Sequence, residues 1–349
     1  MELMFDWKAL TGRGKAYTFD DVLIVPNKSD VRSRRNPDLK TRLTRETTIE
    51  KPFVSANMDT VTEHEMAIGM NQLGAIGILH RFMSISEQVE QVAKIKASGA
   101  RDIAASIGVN DDFKDRAKAL VESGVNILTI DIAHGHSIAM IETLVWLKTE
   151  FPSIQLIAGN VATPKSTEDL IEAGAHAIKV GIGPGSMCTT RIITGCGVPQ
   201  LTAISLCAQV ARPKGVPVIA DGGIRSSGDI IKALAAGADA VMLGSLLSGT
   251  IESPGPIHNG MKQYRGMASK SAQASWRGGV PEGMAPEGES TLVPVKGHIS
   301  DVINELSGGL RSGMSYINAL AIEDIRTNSL FVEMTPMGYF ESRAHGLKN

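Results

Sequence analysis

A chain of 349 residues, 43% apolar and 21% charged, can bury a full core as one large barrel or as two ordinary domains. Its formal charge of -2 and scattered Lys and Arg give no polyanion-binding footprint, and the run Arg32 to Arg35 reads as solvated surface, so no nucleic-acid partner is expected. No stretch nears the ~18 uninterrupted apolar residues of a membrane span, and the opening MELMFDWKAL lacks the basic head and apolar run of a secretory signal.

Residues 1–52 are polar with a β-like patch at Val22–Val25, and are expected to cap the bottom or side of the core. From about residue 50 to residue 250, eight short apolar runs have strand character. They are Phe53–Ala56, Ala75–Leu79, Ile103–Val109, Ile127–Ile132, Ile154–Ala158, Ala177–Val180, Val216–Ala220 and Ala240–Leu243. Between them lie helix-patterned segments, among them Ser86–Ser98, Phe113–Ser123, Ser137–Lys148, Ser166–Ala173, Thr202–Ala211 and Ser227–Ala236. This repeated switch of period predicts parallel β/α units. Gly124, Gly174 and Gly237 each close a helix before an apolar run, where glycine tolerates the left-handed cap. Eight such units in roughly 200 residues favour an α/β fold closed as a (β/α)8 TIM barrel over an open sheet. Residues 250–298 are rich in Gly, Pro, Ser and Met with little periodicity, and are expected to form a lid. Helix pattern returns over 299–327. The whole chain, 1–349, therefore reads as one catalytic barrel domain with C-terminal helices and a tail from 299.

In such barrels the chemistry sits where strands hand over to helices. Gly222-Gly223 after the seventh strand and Gly244-Ser245 after the eighth put backbone N–H groups where these barrels bind phosphate. Turn glycine is the bland alternative for either loop alone. The sixth loop, GIGPGSMCTTR at 181–191, carries Cys188 in a glycine-rich turn with two hydroxyls and Arg191 downstream. Nearby cationic charge and backbone donors favour a reactive thiolate, so Cys188 is the candidate nucleophile. Cys207 reads as core packing and Cys196 as structural. Three cysteines without a CxxC pair speak against a disulfide framework or zinc site, and a cytoplasmic home is expected. No GxGxxG opens a helix as a dinucleotide fingerprint would. Closely spaced carbonyls in the sixth loop could hold a monovalent cation.

These segments resemble the IMP dehydrogenase/GMP reductase family through most of the chain. The matching motifs are FDDVLIVP (19–26), SANMDTV (55–61), DIAHGHS (131–137), AGNVAT (158–163), GIGPGSMCTTR (181–191), GVPQL (197–201), ADGGIRSSGDI (220–230), YRGM (264–267), APEGES (285–290) and GGLRSGMSY (308–316). The resemblance implies a cysteine thiolate that adds to C2 of a purine nucleotide, with a nicotinamide cofactor exchanging hydride. No room exists between Lys94 and Ser106 for the regulatory CBS modules that family dehydrogenases usually carry. The lid stretch 268–284 has no Arg-Tyr pair of the dehydrogenase type, and Asn57 also resembles the reductase branch. YRGMAS, ADGGIR and ESRAHG lie closer to dehydrogenase segments, and Met284 stands where many reductases have arginine.

On the reductase reading the resemblance implies NADPH-dependent deamination of GMP to IMP, with Cys188 as nucleophile and Thr190 and Glu287 managing the proton on the leaving ammonia. Ser186, Gly222, Gly223, Gly244, Ser245 and Tyr264 would hold the 5′-phosphate, and Asp221 the ribose. Met58, Met267, Ser269 and Gly288 would lie at the base and lid. Asp131, Ala133 and Ser312, Gly313, Met314 and Ser315 resemble cofactor contacts, the last four reaching from a neighbouring subunit of a homotetramer. The carbonyls of Gly183, Gly185 and Cys188 would bind potassium, with Glu341-Ser342 completing the site across an interface. His134 and His136 read as loop residues with local hydrogen bonds. The alternatives are an IMP dehydrogenase without CBS modules, converting IMP to XMP with NAD, and a non-catalytic nucleotide-binding barrel.

Overall fold

The computed structural model of the protein describes residues 3–110 and 112–344. Eight parallel strands close into a barrel: β1 (Phe53–Ser55), β2 (Ile76–Leu79), β3 (Ala104–Ile107), β4 (Ile127–Asp131), β5 (Gln155–Val161), β6 (Ala177–Val180), β7 (Val218–Asp221) and β8 (Ala240–Leu243). Each strand pairs with its successor. Closure comes from β8 on β1, with Val241 opposite Phe53 and Leu243 opposite Ser55. The strands are short and almost wholly buried because both faces are covered, by side chains inside and by helices outside. All eight expected strands are present, and β6 and β8 have the expected bounds.

The helices form where the sequence supplies ends for them. Ser84, Ser137, Thr163 and Ser226 each accept from a backbone N–H of the first turn, satisfying amides that have no partner inside the helix. Gly124, Gly174 and Gly237 take φ values of 116°, 117° and 122° at or beside the helix ends, as the cap argument required. One barrel helix, His64–Gln72, is not legible in the sequence pattern. Gly69 interrupts its periodicity; a side-chain carbon there would meet Ile299 Cδ1 at 2.5 Å, so glycine lets the helix pack closely against the C-terminal helix Ile299–Tyr316.

Residues 3–50 cover both the side and the bottom of the barrel. Met4–Phe5 and Val22–Ile24 flank Phe331–Glu333 in a three-stranded antiparallel sheet. Trp7 and Tyr17 pack on the helix Gln200–Ala211, where the Ser205 hydroxyl donates to the Trp7 carbonyl and the Tyr17 N–H donates to Thr202. Around the other end, Thr44 donates to Gln155 at the start of β5, and the Arg45 N–H donates to the His176 carbonyl before β6.

The lid corrects the expectation of an irregular segment. Residues Met261–Arg265 (β9) and Ser290–Pro294 (β10) form an antiparallel hairpin stem, and a helix spans Lys270–Arg277 between them. The alternation in β9 was hidden because Lys262 is one of its buried residues. That lysine is 3% exposed and donates to the carbonyls of Thr250 and Ile251 at 3.0 Å each. Arg265 then pairs with Asp59, tying the stem to the loop after β1. Among the described residues no helix is long and apolar enough to cross a membrane. Residues 345–349 of the expected tail lie outside the described residues.

Candidate active site

The exit loops of the strands and the lid enclose a cavity of about 410 Å³. Of the residues singled out in the sequence, it brings together Met58, Asp131, Ala133, Gly183, Gly185, Ser186, Cys188, Thr190, Asp221, Gly222, Gly223, Gly244, Ser245, Tyr264, Met267 and Glu287. Cys188 is half-buried in the loop after β6. Its thiol donates to Thr190 Oγ1 at 3.1 Å, and the Thr190 hydroxyl donates to Glu287 Oε2 at 2.8 Å. A proton on the thiol thus has a two-step path to a carboxylate that lies 97 residues beyond Thr190 in the chain.

Backbone pairing fixes that carboxylate. The Thr189 N–H donates to the Glu287 carbonyl at 3.1 Å, and the Glu289 N–H donates to the Met187 carbonyl at 2.9 Å, bridging the strand-like turns around Cys188 and Gly288. A side-chain carbon on Gly288 would sit 3.1 Å from the Met187 carbonyl and from the Ser269 N–H, so glycine is needed for the close approach. Ser269 caps the lid helix by accepting from Ala272. Ser269 and Gly288 therefore do not line the cavity. They lie behind Glu287, on the lid side of the site, whereas the resemblance placed them at the base and lid.

Two lobes open from Cys188. In one, Gly222 and Gly223 take φ values of 96° and 81°, and a side-chain carbon on Gly222 would lie 2.9 Å from Pro184 Cγ and 3.0 Å from the Gly185 nitrogen. Gly244 faces the Tyr264 hydroxyl, 3.1 Å from where its side chain would start, and that hydroxyl lies 3.2 Å from Ser186 Oγ. Burial pushes the Tyr264 phenol up, so it stays a neutral donor. Bare backbone and neutral hydroxyls of this kind suit a phosphate.

The other lobe holds Arg81, Phe82, Asp131, Ala133, Gln273 and Trp276. Phe82 and Trp276 pack with ring centroids 5.2 Å apart, joining the β2 exit to the lid helix, and the Arg277 guanidinium lies 3.9 Å from the Trp276 ring. Among the described residues, Arg81 Nε, Gln273 Oε1 and Trp276 Nε1 are buried and have no hydrogen-bond partner. Orphaned donors and an acceptor beside an aromatic wall mark a place for a polar ring-bearing ligand.

Beneath the floor lies a feature the sequence reading missed. Lys179 on β6 is 2% exposed, and its ammonium sits 2.7 Å from Asp131 Oδ1 and 2.8 Å from Asp221 Oδ2. It also donates to Asn160 Oδ1, while Asn160 Nδ2 donates to Asp221 Oδ2 at 2.9 Å. Two facing carboxylates hold the ammonium charged well above the usual lysine range despite its burial. Asp131 is held below the usual range: burial raises it, but the Lys179 charge and hydrogen bond outweigh that. A lysine inside the buried strand AIKV was the available signal.

Other expectations are redistributed. Arg191 donates to the Ile182 and Val198 carbonyls at 3.1 and 2.7 Å and shapes the loop. The stretch 312–315 lies on the helix Ile299–Tyr316, away from this chain's cavity. Met314 is wholly buried, and a side-chain carbon added at Gly313 would meet Ile231 Cδ1 at 2.7 Å. His136 pairs with Asp169 at 2.9 Å. Cys207 is buried, its thiol pushed up to about 12, whereas Cys196 is exposed rather than packed.

Residues 16–345 match the model of the IMP dehydrogenase / GMP reductase domain. The chain belongs to the IMP dehydrogenase/GMP reductase family. It is 44% identical to the inosine-5′-monophosphate dehydrogenase of Cryptosporidium parvum over 96% of both proteins. It is 39% identical to that of Borreliella burgdorferi, covering 95% of this chain and 97% of the relative. Among solved structures, a cysteine-to-alanine variant of the GMP reductase of Trypanosoma brucei, in complex with guanosine 5′-monophosphate, superposes with a TM-score of 0.91. That match has 33% identity and covers 96% of this chain and 98% of the other. Family membership makes the protein an oxidoreductase of purine metabolism.

Proposed function

We propose that this protein is a GMP reductase, converting GMP and NADPH to IMP, ammonia and NADP in the cytoplasm. The observation that carries the reading is the hydrogen-bonded chain from Cys188 through Thr190 to Glu287, beneath a lid helix whose segment 268–284 has no Arg-Tyr pair to activate water. The thiol proton passes through Thr190 to Glu287, and the thiolate adds to C2 of GMP. Glu287 then returns that proton through Thr190 to the 2-amino group. The C2–N bond breaks, ammonia leaves, and a Cys188–C2 thioimidate remains. NADPH, when bound, supplies the hydride that ends on C2. The C–S bond then breaks, and the electron pair returns to Cys188.

Ser186, Gly222, Gly223, Gly244, Ser245 and Tyr264 hold the phosphate, Asp221 accepts from the ribose hydroxyls, and Met58 and Met267 pack on the base. The lobe around Asp131, Ala133 and Trp276 suits the cofactor, its orphaned polar atoms awaiting a partner. The half-buried Ser312 and Ser315 contribute from a neighbouring subunit in a homotetramer. Potassium fits the carbonyls of Gly183, Gly185 and Cys188. Among the described residues no hydrogen bond falls on those of Gly183 and Cys188, and that of Gly185 accepts only from the Cys188 N–H.

A second reading, IMP oxidation to XMP with NAD, is favoured by the identity with named dehydrogenases. Two assays separate them: GMP with NADPH, and IMP with NAD, each followed by absorbance of the reduced cofactor. Turnover of the first pair supports the reductase; turnover of the second alone overturns it.

A further inference from the structure

We infer that Lys179 is a positioning residue shared by both lobes of the cavity, and that through it nucleotide and cofactor binding depend on each other. The inference rests on the proposed roles of Asp221 toward the nucleotide and Asp131 toward the cofactor.

An ammonium has three donors and no acceptor. Those of Lys179 go to Asp131, Asp221 and Asn160. These residues come from the ends of β4, β7 and β5, so with Lys179 on β6 the network joins four consecutive strands. Asp131 and Asp221 are each only about one-fifth exposed, at 21% and 22% of their side chains. Without the shared cation, two carboxylates would face each other at short range in a poorly solvated floor. One would take a proton or both would move apart.

Each carboxylate gives one oxygen to Lys179. Asp221 uses the same oxygen, Oδ2, for Asn160, leaving Oδ1 for ribose hydroxyls. A ligand donating to Asp221 lowers that carboxylate's claim on the ammonium and lets it settle on Asp131, and the reverse holds for a ligand on Asp131. Such coupling is reciprocal by thermodynamic necessity.

The test uses the intact enzyme. The turnover assays above first decide which nucleotide and cofactor pair is the working one, and that result bears on the proposed function alone. For that pair, the cofactor Kd is then measured with and without saturating nucleotide, and the nucleotide Kd by itself. Asp131→Asn, outside the nucleotide lobe, is expected to change the nucleotide Kd by about fivefold or more. Asp221→Asn should shift the cofactor Kd similarly, and in both variants the with-and-without ratio should fall toward one. Lys179→Met should weaken both ligands. If it does not fold, the two Asp variants, which keep the ammonium paired, decide the matter. Asp131→Asn affecting only the cofactor and Asp221→Asn only the nucleotide overturns the inference. So does a Lys179→Met enzyme with a lower Tm and both Kd values unchanged.

Discussion

Cys188, Thr190 and Glu287 are three side chains whose separate chemistries are ordinary and whose contact is not. The thiol alone would be a poor nucleophile; in contact with Thr190 and, through it, Glu287, its proton has somewhere to go. Cys188→Ala should abolish turnover of either nucleotide while leaving nucleotide binding within a few-fold, which titration calorimetry would check. A positioned acid or base typically contributes about 10²–10⁴-fold. If the proposed reductase reading holds, Glu287→Gln should therefore cut kcat by that order with KM little changed, in single-turnover and steady-state assays. Equal loss in KM would make Glu287 a binding residue instead. The sequence announced Cys188 through its loop, and Thr190 was singled out by the family resemblance. Glu287 came only from the family resemblance, because no local pattern tells a reader that residue 287 returns to residue 190.

At the scale of elements, glycines and caps set the geometry that the side chains exploit. Gly237 takes a φ of 122°, and a side-chain carbon there would meet Ala208 Cβ at 2.5 Å. Gly237→Ala should therefore destabilise the protein by about 1–3 kcal/mol, read as a lower unfolding midpoint in urea with kcat intact in the folded fraction. The lid helix Lys270–Arg277 closes the second lobe through Trp276 on Phe82. Trp276→Ala should raise the KM for the nicotinamide cofactor about tenfold or more, the usual order for losing an aromatic anchor, and leave the KM for nucleotide nearly unchanged. Equal effects on both would place the indole at the nucleotide. The repeating βα units were legible because glycine exits and apolar runs are local signals. The lid hairpin was not, because its stem buries Lys262 and so breaks the alternation that marks a strand.

Over the whole molecule, the two ends of the chain are joined at Glu333, whose carboxylate takes Tyr17, Arg13 and Lys15 from the N-terminal segment. Those hydrogen bonds, that from Tyr17 first, hold it down at about 2 against an ordinary 4.5. Its folded-state value is depressed, so its stabilising contribution is complete above about 4.5 and is lost as pH falls toward 2. Glu333→Gln should lower the Tm at neutral pH and flatten its fall across that window; an unchanged profile would show the cluster to be too solvated to matter. The sequence by itself determined the barrel and its eight strands, and it singled out Cys188 as the candidate nucleophile and Gly222-Gly223 and Gly244-Ser245 as candidate phosphate loops. Strand period, helix exits and loop composition are written within a few residues of one another. Only the tertiary structure decided which partners those residues met: Glu287 against Thr190, Ser269 at the cap of the lid helix, Met314 in the core, and Lys179 between two carboxylates. The physical reason is that barrel closure brings together the ends of strands far apart in sequence, and charge pairing across such ends leaves no periodic trace in the chain.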